Sequence, residues 1–106
     1  MNDRELLELA AKAAGIGPII RFEDGGLLIG PNRHSRYWNP RSHNGDSLLL
    51  AAKLELEVSI WFGFQEVRCE NYSGAIRGIA DFTDDRAYDY RLAIVRAAAE
   101  IGRAMP

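Results

Sequence analysis

Residues 54 to 64 read LELEVSIWFGF. The even positions, Leu54, Leu56, Val58, Ile60, Phe62 and Phe64, are all apolar, whereas the odd ones, Glu55, Glu57, Ser59, Trp61 and Gly63, are mostly not. Side chains alternate across a strand, so a period of two over this length predicts a β-strand with one face on a core and one face wetter. Glu66, Arg68 and Glu70 then alternate with Val67 and Cys69. A partner strand is therefore expected to return after a turn at 63–65, with Cys69 on the apolar face beside Val67. A lone thiol on that face is expected to be buried and structural rather than a reactive nucleophile.

The flanks read as helices and a second hairpin. Asn2 or Asp3 can cap a helix over about 3–14, where Leu6, Leu9, Ala10 and Ala13 recur at helical spacing and Gly15 suits the left-handed end. Residues 18–30, PIIRFEDGGLLIG, place the turn signal Asp24-Gly25-Gly26 between two short apolar runs, which predicts a β-hairpin. Asp46 or Ser47 can cap a helix over about 46–54, with Leu48, Leu49 and Ala52 expected to pack inward, and Leu50 with them. Thr83, Asp84 or Asp85 can start a final helix whose stripe is Leu92, Val95, Ala99 and Gly102. The small residues Ala97 to Ala99 let that helix approach its neighbours closely. Residues 71–82 read as a loop, with or without a short edge strand at 75–79. The expectation is one α+β domain over 1–106: three helices on an antiparallel sheet of about four strands, in the order α-β-β-α-β-β-α.

Composition narrows the functional classes. The chain has 106 residues, 47% hydrophobic and 26% charged, which is globular rather than disordered. The net charge of −2 means that any contact with nucleic acid must come from a local patch. One cysteine, Cys69, allows no intrachain disulfide, which fits a reducing, cytoplasmic setting. The N-terminal stretch MNDRELLELAAKAAG carries acids where a signal peptide would be apolar, and no run approaches the ~20 apolar residues of a membrane span.

The sequence carries few chemical motifs. There is no nucleophile elbow, metalloprotease helix, paired-cysteine motif, phosphate-binding loop or dinucleotide fingerprint in the sequence. His34, His43, Asp46 and Cys69 have metal-type side chains, but the spacing of the histidines crosses Pro40 and matches no ligand pattern, so no metal or cofactor is expected. The acidic pairs Glu23-Asp24 and Asp84-Asp85 are explained by a turn and a helix start.

Residues 32–46, NRHSRYWNPRSHNGD, are unusual in crowding three arginines and two histidines around Tyr37 and Trp38 with no acid before Asp46. As a contact surface, Arg33, Arg36 and Arg41 would meet phosphates or an acidic partner, His34 and His43 would assist, and Tyr37 or Trp38 would stack. As architecture, Trp38 inserts into the core, Asn39-Pro40 turns the chain, and Gly45-Asp46 delivers it to a helix. Trp61, on the wetter face of the predicted strand, is a further candidate partner contact.

The N-terminal LLELAAKAAG helix, the hairpin, WNP at 38–40, GDSLLLAAKLELEV at 45–58 and the terminal AIVRAAAEIGRAM resemble small uncharacterised proteins of phages and prophages, the "phage ABA sandwich" domain family. The resemblance spans most of the chain and is least at 65–86. It implies an αβα-like helix/sheet sandwich and a phage origin, hence the cytoplasm of a host cell, and brings no activity, catalytic residue or cofactor. The functional expectation is a non-catalytic interaction module whose partner is a phage or host protein, with a homodimer possible through an exposed sheet face or edge. A nucleic-acid-binding protein using residues 33–43 is the alternative. A small hydrolase using His34 or His43 is the weakest, since no nucleophile accompanies either.

Overall fold

The structure, a computed structural model, describes residues 1–106 apart from the side chain of Asn32. Helix α1 spans Asp3–Ala14. The extended Asn2 caps it, its side-chain oxygen accepting the Glu5 N–H at 2.8 Å, and Gly15 ends it at φ 68°. Strands β1 (Ile19–Glu23) and β2 (Gly26–Ile29) form the expected hairpin, with Asp24 and Gly25 both at positive φ in the turn. A third strand, β3 (Arg36–Trp38), pairs with β2 so that Trp38 faces Leu27 and Tyr37 faces Leu28.

Helix α2 covers Asn44–Lys53, and strands β4 (Glu57–Trp61), β5 (Glu66–Glu70) and β6 (Arg77–Asp81) follow as an antiparallel meander. Helix α3 runs over Arg86–Ala104, with the Asp85 carboxylate accepting the Tyr88 N–H at 3.1 Å as its cap. The α+β class and three helices hold, but the single sheet of about four strands does not. Six strands form two separate three-stranded antiparallel sheets, ordered β1-β2-β3 and β4-β5-β6. The observed order is α-β-β-β-α-β-β-β-α.

The helices pack on these sheets instead of enclosing one sheet between two helical layers. α3 lies on β5 and β6, runs along α1, and also meets α2, while α1 reaches β2. Two glycines set the closeness of this packing. A Cβ on Gly78 of β6 would strike the main chain of α3 at Ala93 and Ala97, and one on Gly102 of α3 would strike the Leu9 carbonyl of α1. Leu7, Leu27, Trp38, Leu50, Val67, Cys69 and Val95 are buried in one continuous core that draws on every helix and both sheets.

Two local expectations are corrected. In α2 the buried residues are Ser47, Leu50 and Ala51, while Leu48 and Leu49 are about 70% and 69% exposed. The helix starts at Asn44, before the expected cap, and α3 is the element it packs against most. The period of two also stops at Trp61: residues Phe62–Phe64 form a single 3-10 turn between β4 and β5, so Phe62 and Phe64 leave the core face and are 73% and 67% exposed.

Candidate functional site

The segment 32–46 is mostly stitched into the fold. Trp38 is buried, the pin expected of it, and Asn39 and Pro40 are buried with it. The Tyr37 hydroxyl donates to the Asp24 carbonyl at 2.6 Å and accepts from the Asn39 amide at 3.1 Å, tying β3 to the first hairpin. Its ring occupies the place a Gly26 side chain would need. The Asn39 N–H donates to the Asp46 carboxylate at 2.9 Å, so Asp46 fastens the preceding loop from the first turn of α2 rather than capping the helix. His43 holds the cap position, its Nδ1 3.5 Å from Asp46 and its ring edge-on to Tyr37. Arg91 of α3 donates to the Arg41 carbonyl and to Asn44, both at 2.7 Å.

The three arginines of this segment do not converge. Arg33 and Arg36 are exposed, as is His34 beside them. Arg41 turns inward: its guanidinium meets Asp3 at 2.6 Å and donates to the Tyr88 hydroxyl at 3.2 Å. Burial disfavours its charge, yet the hydrogen bonds and charge of Asp3 and Tyr88 outweigh that, so its pKa is raised and the cation is retained. Among the described residues, neither histidine is hydrogen-bonded to a Ser, Thr or Cys side chain, and no group of three or more His, Cys, Asp and Glu is placed to hold a metal ion. Cys69 lies in the core beside Val67, where burial, with the Glu70 charge, pushes its pKa up to about 12.

The second sheet supplies a different surface. Val67, Cys69, Gly78 and Ala80 point toward α3 and are buried. The opposite face carries Glu57, Ser59 and Trp61, paired across the strands with Glu70, Arg68 and Glu66, and then with Arg77, Ile79 and Asp81. Trp61 is 39% exposed and donates through Nε1 to the Ser59 hydroxyl at 3.0 Å. The Arg68 guanidinium stacks 3.7 Å from the Trp61 ring centre and 5.2 Å from that of Phe64, held in place by Glu66 at 2.5 Å. On the other side of the turn, Phe62 meets Phe82 edge-on, and Arg86 lies 3.4 Å over Phe82 while bonded to the buried Asp89 at 2.6 Å. The result is an exposed aromatic tip, Trp61, Phe62 and Phe64, braced by two arginines that are themselves fixed by acids.

Trp61 is legible as a surface aromatic in the sequence, whereas Phe62 and Phe64 are not, because the apolar alternation continues through them while the strand ends at Trp61. The signal present was the WFGF run itself: three aromatics around a glycine, next to a required reversal of direction.

Among the described residues, no helix is long and apolar enough to cross a membrane. Compared with protein-family models, with curated proteins and with solved structures, the chain matches none.

Proposed function

We propose that the chain is a non-catalytic interaction module that docks on another protein through the aromatic tip of the β4–β5 hairpin. The observation that carries this reading is the adjacent exposure of Trp61, Phe62 and Phe64 on a turn braced by Arg68 and Arg86. Burying one such phenylalanine in a partner pocket is worth about 1.5–3 kcal/mol. Aromatic and arginine side chains also dominate the energetic centres of interfaces. A tip already held by stacking loses little side-chain freedom on binding. The resemblance to phage and prophage proteins directs the search to phage and host proteins of the bacterial cytoplasm.

The test is affinity capture from phage-infected cells with the native chain and with a Phe62→Ser/Phe64→Ser variant. A specific protein retained by the first and lost from the second, with unchanged circular dichroism, supports the reading. Equal capture by both, or capture of nothing specific, removes it.

Nucleic-acid binding is the second reading. It is favoured by the exposed Arg33, His34 and Arg36, the two arginines making no ion pair among the described residues. It requires salt-dependent affinity that drops when Arg33 and Arg36 are both changed to Ala. Binding indifferent to salt and to that change removes it.

A further inference from the structure

The sheet order β4-β5-β6 leaves two edges, and they are not treated alike. On the β6 edge, Arg96 of α3 donates to the Ile79 carbonyl at 2.7 Å, and α3 packs alongside that strand. On the β4 edge, the elements in substantial contact are β5 and α3, and α3 meets β4 far less than β5 or β6. Among the described residues no side chain bonds to the β4 main chain. Proteins usually blunt such an edge with lysine, proline, a bulge or a covering loop. β4, EVSIW, contains neither lysine nor proline, and its register with β5 runs one for one without a bulge. Its core-side residues Val58 and Ile60 are only half-buried.

Glu57 is also left without a cation. It faces Glu70 across the strand pair, a like-charge contact that destabilises, and Glu70 is already bonded to Arg77 at 3.3 Å. Glu57 makes no ion pair among the described residues. At the other end of the same strand sits Trp61 with the Arg68 guanidinium stacked on it.

We infer that two copies of the chain pair antiparallel along β4, with a two-fold axis through Ser59, to give one continuous six-stranded sheet. That axis sets Glu57 of one copy opposite Trp61 of the other and Val58 opposite Ile60. Residues directly opposite share a face, so each Glu57 reaches the cation resting on the second copy's Trp61, and the two Val58–Ile60 pairs close the exposed apolar border. The arrangement is isologous and closes on itself, which limits it to two copies. It is independent of which protein the aromatic tip engages.

The test is light scattering over a concentration series, read against the 11.8 kDa chain mass. The expected result is twice that mass. Glu57→Arg is expected to raise the dimer dissociation constant tenfold or more, because it sets two cations together. The same change relieves the Glu57–Glu70 repulsion within one copy, so the fold of the separated chain keeps its melting temperature, unlike a variant that merely unfolds. Phe62→Ser/Phe64→Ser is expected to leave the dimer intact. A monomer throughout the series, a dimer indifferent to Glu57→Arg, or a dimer dissolved by the phenylalanine changes overturns the inference.

Discussion

The Arg41 guanidinium meets the Asp3 carboxylate at 2.6 Å and so joins the loop after β3 to the first turn of α1. Asp3 is 62% exposed while the Arg41 side chain is 19% exposed, so screening leaves the charge attraction itself a small contribution. More comes from the packed arginine stem and the Tyr88 hydrogen bond. Arg41→Ala is expected to lower stability by about 1–3 kcal/mol and Asp3→Asn by less than about 1 kcal/mol. Urea denaturation of both variants checks the order, and equal losses would assign the effect to the ion pair instead.

Asp89 is buried yet charged. Burial raises its pKa, but the Thr83 hydroxyl and N–H, at 2.6 and 2.9 Å, and the Arg86 guanidinium bring it below the ordinary 3.8. A carboxylate depressed in the folded state adds stability that is fully present above its unfolded pKa and is lost as pH falls through the folded one. Native chain is therefore expected to lose stability below about pH 4. Asp89→Asn is expected to cost on the order of 2 kcal/mol at pH 7 and to flatten the acid limb. Denaturant midpoints between pH 2 and pH 7, taken at pH values of roughly the carboxylate range, are the measurement. Parallel acid limbs in the two proteins would contradict this role.

Cys69 is expected to be inert in the folded chain. With its pKa pushed up to about 12, almost no thiolate exists at pH 8, and no solvent reaches it. Ellman's reagent should react at the rate of unfolding and label one thiol promptly in denaturant. Prompt labelling of the native protein would place Cys69 outside the core.

Gly102 and Gly78 are expected to be the positions least tolerant of a methyl group. Gly102→Ala has to separate α3 from the Leu9 carbonyl of α1, and Gly78→Ala has to lift β6 off α3. Overpacking of this kind costs about 1–3 kcal/mol and more against rigid main chain. Ala99→Gly, in the same helix, removes contact without overlap and serves as the comparison in thermal melts. Gains in stability from either glycine change would show that the helices have room to move.

The parts of the fold legible in the sequence were those with long or chemically distinct signals. Of the alternation read over 54–64, residues 57–61 form the strand and 66–70 its partner; of the cap candidates, Asn2 and Asp85 are the ones used; the turn of the first hairpin falls at Asp24-Gly25, and Trp38 is buried as a pin. β3 was hidden because three residues are too few to show a period, and Arg36 and Tyr37 resemble the basic segment around them. β6 was legible only in part, as an optional edge strand at 75–79, whereas the strand runs over Arg77–Asp81. Its inward positions, Gly78 and Ala80, are small because α3 lies against them, so the close packing that defines the strand erased its hydrophobic signature. Arg41 could not be told from Arg33 and Arg36 by sequence, since its acid partner lies 38 positions away at Asp3.

The placement of α3 has a consequence for how the molecule comes apart. Each three-stranded meander pairs only with its own sequence neighbours, which by itself favours two units opening separately. Yet α3 meets α1, α2 and all three strands of the second sheet, and α1 in turn meets β2. Lifting α3 uncovers the inner face of the second sheet and the flank of α1 at once. The amides of β2 and β5, far apart in sequence, are therefore expected to exchange hydrogen with one shared opening free energy, making the chain a single cooperative unit.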